Sequence, residues 1–307
     1  MGMNSISNWL QASVRLAAPL MLTSIGAVYT ERVGVVNIGM EGMMLAGALA
    51  SVAASFFTGN VVIAAICAMT VGGLLAVVHA YLTVSRRASQ LISGAAINFL
   101  ALGATNFGYA RLFPTERARV ATFPVLSPPE LHAVPFFGRV IFAQPVIVWI
   151  AFILPLVSAW VLYRTSWGLN IRAVGEHPHA VASAGLSVFR LKYAGVILSG
   201  VFSGLGGSAL AQAELGYFAP NMTGGRAFVV LAALIVGKWN PIVVAAACML
   251  FGAADALQLR IQTFGAVIPY QFAVMVPYLL TIAALAGLVG RTAAPKTIGK
   301  PYDPEAI

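Results

Sequence analysis

Apolar residues come in long runs separated by short polar breaks. The runs are 9–30, 33–57, 60–84, 89–112, 143–163, 191–214, 226–239, 241–261 and 265–290. A helix needs about 20 apolar residues to cross a bilayer, and most of the runs reach that length. The pattern predicts an all-α polytopic membrane protein with about nine transmembrane helices (eight to ten), some of them broken. The chain reads as one transmembrane domain, 1–307. The pieces on either side of Lys238-Trp239-Asn240-Pro241 read as two short helices or a broken pair. Such breaks are tolerated only where protein or a cavity covers the freed backbone.

Composition narrows the class. Hydrophobic residues make up 60% of the chain and charged residues 9%. Soluble domains carry roughly 25% charge, so a soluble or disordered chain is excluded. The net charge of +9 does not point to nucleic acid, because the basic residues read as short connections rather than a dense patch. Topology explains them better, since Lys and Arg hold loops in the cytoplasm. With nine spans, Arg32, Arg86, Arg87, Arg164, Arg172, Arg190, Lys192, Lys238, Arg291, Lys296 and Lys300 share one side. They outnumber Arg15, Arg111, Arg117, Arg119, Arg139, Arg226 and Arg260 on the other. The C-terminus is therefore expected inside and the N-terminus outside. Loop 113–142, rich in proline, falls outside and is expected to cover the extracytoplasmic mouth. Cys67 and Cys248 sit inside apolar runs and read as small hydrophobes. The N-terminal stretch has neither the basic start nor the small-residue cleavage site of a signal peptide, so the first hydrophobic segment is expected to be retained.

Catalytic chemistry is not indicated. There is no phosphate loop, HExxH, GxSxG or paired-carboxylate pattern, and no cofactor or metal site is expected. Polar residues inside spans are expensive and mark function by default. They are Asn37, Glu41, His79, Asn98, Asn106, Gln212, Asp255 and Gln258. Of these, Asn37, Glu41, Asn98, Asp255 and Gln258 read as lining a path or as clamps on a broken helix. Glu41 stands among glycines, which suggests an unwound or tightly packed segment. Gly200, Gly204 and Ser208 form a small-residue ladder at spacing four, which lets helices approach closely. Packing inside one subunit is the plain reading of it, and a seam between subunits is the other. The loop 164–190 is the one sizeable cytoplasmic segment besides the tail. Within it, Glu176, His177, Pro178, His179, Ala180 and Gly185 predict a helix over 178–184, with Pro in its first turn and Gly at its stop. A short helix on a loop suits docking into a partner's groove.

At these residues the sequence resembles the inner-membrane permease subunits of bacterial ABC importers for simple sugars, nucleosides and branched-chain amino acids. Its likeness is greatest to the shorter permease of nucleoside-type importers. The matching stretches are ERVGVVNIGMEGMMLAGA (31–48), GLNIRAVGEHPHAVASAGLSVFRLKY (168–193), LSGVFSGLGGSALA (198–211), GRAFVVLAALIVGKWNP (225–241), FGAADALQLRIQ (251–262) and GLVGRTAAPKTIGKPYDPE (287–305). The resemblance implies an ABC permease fold with a coupling helix in loop 168–187 that docks on an ATPase. His179-Ala180-Val181-xxx-Gly185 echoes the importer pattern Glu-Ala-Ala-xxx-Gly, with His for Glu and Val for the second Ala. It further implies a bacterial inner-membrane location and an ATPase subunit with two nucleotide-binding halves. A second, longer permease and an extracytoplasmic binding protein complete the implied system. The expected function is ATP-driven import of a small molecule, a nucleoside first and a simple sugar second. An ion-coupled secondary transporter using Glu41 and Asp255, or a membrane scaffold, are the readings from other classes.

Overall fold

The computed structural model describes residues 3–113, 120–125, 138–263 and 294–304, with the isolated positions 275, 279, 282 and 283. The ninth apolar run, 265–290, and most of loop 113–142 lie outside the described residues. In chain order the helices are α1 (Met3–Arg32), α2 (Met40–Thr58), α3 (Val61–Ala80), α4 (Gln90–Leu112), α5 (Val146–Arg164), α6 (Ser166–Glu176), α7 (Pro178–Ser183), α8 (Val188–Ala209), α9 (Arg226–Val236) and α10 (Pro241–Thr263). A π-helical turn extends α3 over Tyr81–Ser85, and another extends α8 over Leu210–Leu215. Among the described residues, seven helices are long and apolar enough to cross a membrane: α1 to α5, α8 and α10. The protein is an all-α, multi-pass membrane protein.

Two apolar runs depart from simple spans. The run 33–57 is helical only from Met40, because residues 33–39 leave the helical path. The run 226–239 holds α9, which is 11 residues long and so covers about half of a bilayer. Local chemistry sets several helix starts. Asn60 accepts from the Val62 and Ile63 amides, Thr165 from Gly168, and Ser187 from Arg190. Each cap satisfies amides that have no partner within the helix.

The centre of the bundle is α8, packed along α1, α2 and α3. Its small residues make this possible. A methyl group at Gly200 would overlap the Gly72 carbonyl of α3, and one at Gly204 would overlap that of Ala68. On other faces, Gly207 meets the Met44 carbonyl of α2 and Gly206 meets Thr23 of α1. Ser208 continues the ladder by donating to Gln212 Oε1 at 2.8 Å. The ladder is thus a seam inside the subunit. The most apolar windows of α1 and α8 are 83% and 72% buried, against 28% for those of α3 and α4. Phe99 and Phe107 of α4 and Leu74 of α3 stay exposed, as suits side chains facing lipid tails.

Candidate functional site

The first element of the site is the break at 33–39. Helix α1 closes with Gly34 in the left-handed region (φ 79°). There the Gly34 amide donates to Glu31 O and the Val35 amide to Thr30 O. This is the Schellman closure that a glycine permits. The chain then runs without helical bonds to Gly39, and its polar groups take side-chain partners instead. Gln90 Oε1 accepts from the Val36 amide at 2.7 Å. His79 Nε2 lies 3.3 Å from Val36 O, and its Nδ1 lies 2.9 Å from Ser93 Oγ. Asn98 works twice. Its Nδ2 donates to Ile38 O at 3.1 Å, and its Oδ1 accepts from the Gly42 amide at 2.8 Å. Asn37 is fully buried and donates to Ser199 Oγ on α8 at 2.6 Å, while its own Oδ1 is buried with no hydrogen-bond partner among the described residues. Non-helical backbone in lipid requires such internal satisfaction. Asn37 and Asn98 therefore act as clamps on the break.

Glu41 sits one residue into α2 and reaches across to α9. Its Oε1 accepts from the Gly225 amide at 2.8 Å and its Oε2 from the Ala227 amide at 2.9 Å. A carboxylate at a helix start satisfies orphan amides and favours the dipole. Glu41 is thus also a clamp, and it holds the inner end of a half-length helix. Beside it, Arg226 donates to Glu214 Oε1 at 2.9 Å. Asp255 lies within electrostatic reach of both partners, and Arg15 within reach of Glu214. No partner of Gln258 is seen among the described residues. Arg15 and Arg226 belong to α1 and α9, Arg260 to α10 and Lys192 to α8. They are residues of helices and not of the connections, so they say nothing of the charge balance of the loops.

The turn after α9 is pinned as well. Lys238 and Trp239 both have positive φ, 52° and 55°. Arg32 donates to Trp239 O through Nε (3.2 Å) and through a terminal nitrogen (3.0 Å). Trp239 Nε1 donates to Glu31 Oε2 at 2.6 Å. At the opposite end of the bundle, residues 120–125 lie against the helix ends. The Ala121 amide donates to Ser55 Oγ at 2.7 Å, and Ala121 O accepts from Gln212 Nε2 at 3.2 Å.

The second element is the loop between α5 and α8. Helix α7 spans Pro178–Ser183 with Pro at its start, and His177 precedes it. It closes on Gly185 (φ 81°). The Gly185 amide donates to Ala182 O, and the Leu186 amide to Val181 O. Pro178 and Val181 are buried, while His179, Ala180, Ala182 and Ser183 are exposed. The helix is thus anchored on one side and presented on the other. The tail 294–304 straps it down. Thr297 donates to Gly175 O through its amide (3.0 Å) and its hydroxyl (2.7 Å). The Gly299 amide donates to Gly34 O at 3.2 Å. Tyr302 packs on His179 and Phe189, and Asp303 pairs with Arg87 at 3.1 Å. A side chain at Gly175 would overlap Arg32 O, so α6 and the end of α1 touch directly.

Sequence reasoning had singled out Asn37, Glu41, Asn98 and the 176–185 segment. It missed Gln90, Ser199, Glu214 and Trp239 as partners, and the tail as a strap. Gln90 follows Ser89 at a helix start and carries the usual signal of a cap. Among the described residues no group of three or more His, Cys, Asp or Glu is placed to hold a metal ion.

A bundle of membrane spans with a bracketed break inside and a presented helix at one end defines the class: an all-α, multi-pass membrane protein. The particular family follows from comparison. Residues 10–285 match the family described as branched-chain amino acid transport system / permease component, and the chain belongs to it. It is similar to the guanosine ABC transporter permease protein NupQ of Bacillus subtilis, with 40% identity covering 95% of each chain. It is similar to the nucleoside ABC transporter permease protein NupC of Lactococcus lactis, with 35% identity covering 93% of each. It is also similar to a Haloferax volcanii protein provisionally named as the glucose ABC transporter permease protein TsgC13, with 33% identity covering 99% of each. No solved structure gives a match.

Proposed function

We propose that this chain is the shorter of two permease subunits of an ATP-driven importer of nucleosides in a bacterial cytoplasmic membrane. The observation that carries the substrate is the near full-length identity with relatives named for guanosine and nucleosides. An ATPase subunit supplies the energy, and an extracytoplasmic binding protein delivers the substrate. The C-terminus and α7 face the cytoplasm, where the exposed edge of α7 docks on the ATPase. Its anchored edge fits that role, because a docking helix must pass force inward. The route inward is a chain of contacts: α7 and α6 to Gly175, Gly175 to Arg32 and the tail, the tail to Gly34, and the break to α2, Glu41 and α9. Along this route Asn37, Asn98 and Glu41 brace the path, and Asp255 stands beside it. Residues 120–125 belong to the outer mouth, where Ala121 is tied to Ser55 and Gln212.

The test is reconstitution with the ATPase and the second permease. Replacing Gly185 with Val, or the segment 177–179 with alanines, should abolish substrate-stimulated ATPase activity in a complex that still assembles. Normal stimulation in such variants refutes the docking role. Uptake of labelled guanosine against labelled glucose decides the substrate. Glucose is the second reading, favoured by the Haloferax relative. Uptake that needs a proton or sodium gradient and no ATP refutes the importer.

A further inference from the structure

A cleft of about 340 Å³ opens between α7 and the tail. That volume lies within the range of small-ligand sites, roughly 300–1,000 Å³. Its walls include Glu176, His177, Lys192, Lys300, Tyr302 and Asp303. Lys192 is the unusual member. It is the fifth residue of α8, is only 2% exposed, and lines the cleft. Among the described residues its ammonium has no hydrogen-bond or ion-pair partner. Its stem is buried, and an ammonium with no counter-charge has only the cleft to solvate it. Asp303 already pairs with Arg87 at 3.1 Å, and the Thr297 hydroxyl is spent on Gly175 O. Glu176 is the remaining carboxylate on the walls. Against it stand Lys192, Lys300 and, just outside, Lys296, whose Nζ lies 3.4 Å from His177 Nε2. Among the described residues cations are in excess, and the donors converge from two separate pieces of chain.

We propose that this cleft binds a small phosphate-type oxyanion, with Lys192 as its buried cation and Lys300 closing over it from the tail. Lysine offers three donors and a point charge, which suits an oxyanion free to rotate. An anion seated there bridges α7 and the tail and stiffens the strap. Two sources share the chemistry: free inorganic phosphate from the cytoplasm, and the phosphodiester of an anionic lipid headgroup. The site does not depend on the proposed substrate or on the ATPase, because binding is measured on the permease alone.

The full chain is placed in nanodiscs of phosphatidylcholine and titrated with inorganic phosphate, with binding read by calorimetry. Saturable binding is expected. Lys192→Gln should weaken it by about tenfold or more, the range for losing a charged hydrogen bond. Lys300→Gln should weaken it less, and its preserved thermal midpoint controls for folding. In discs containing phosphatidylglycerol, competition with added phosphate assigns the site to the headgroup, and unchanged binding assigns it to the free anion. Both outcomes support the site. Absence of saturable binding by the unaltered chain, or equal binding by folded Lys192→Gln, overturns it. So does a result in which Lys192→Gln leaves phosphate binding intact and only weakens assembly with an ATPase.

Discussion

Several polar side chains in the interior of this protein serve the backbone of distant segments. Asn98 is the clearest case, with one amide group satisfying Ile38 O and the Gly42 amide together. Asn98→Ala should leave two backbone groups without partners, costing about 2–6 kcal/mol at the usual 1–3 kcal/mol each. A lowered thermal midpoint in detergent, with Asn98→Asp recovering little because it lacks the donor, checks this. Glu41 is held to two amides at the start of α9. Glu41→Gln keeps one acceptor, so it should lose about 1 kcal/mol, while Glu41→Ala should lose about 2–3 kcal/mol. Equal stability of all three forms would remove Glu41 from its clamp role. The sequence marked both residues, since a polar group in an apolar run must be answered by something. It left open whether the answer was substrate or backbone. The partner atoms Ile38 O and Gly225 N come from a break and from a remote turn, which no spacing rule brings together.

Helices α1 and α8 show how element identity and element contact separate. The ladder Gly200, Gly204, Ser208 was visible as a small-residue face. Its partners, Gly72 and Ala68 on α3, were not. Gly200→Val should force the two backbones apart. Overpacking of this kind costs typically 1–3 kcal/mol and often more where the neighbour is backbone. The expected result is a large fall in the yield of folded protein, whereas Val201→Ala on the same helix should be mild. If Gly200→Val folds normally, α3 and α8 are not in contact there. Span lengths were legible where hydrophobicity is continuous. They were less so at 33–39 and 226–236, because an apolar stretch reads alike whether or not its backbone is helical. The helix stop at Gly185 was announced by glycine, but the stop at Gly34 and the strained Lys238 and Trp239 were not. That turn survives because Arg32 and Glu31 grip it from another helix.

For the whole molecule, the tail connects what the spans keep apart. Thr297 ties it to Gly175 and Gly299 ties it to Gly34. Thr297→Val removes the hydroxyl bond and should cost about 1 kcal/mol, while truncation before residue 294 should also reduce stimulated ATPase activity in the reconstituted complex. Full stimulation by the truncated form would show that the strap carries no force. The sequence by itself determined the all-α membrane class, most of the spans, the presented helix near Pro178 and the family. Those follow from continuous apolar runs and from local punctuation by proline and glycine, which act over a few residues. Only the tertiary structure showed that Asn98 bonds Ile38 O in the break, that Glu41 meets the amides at the start of α9, that Gly200 and Gly204 abut α3, and that a lysine with a buried stem lines a cleft beneath the tail. Each of those depends on atoms brought together from more than a hundred residues away in some cases, as with Asn37 and Ser199 at a separation of 162. The physical reason is that lipid leaves backbone and charge no solvent to turn to. Their partners must come from wherever the packed helices place them.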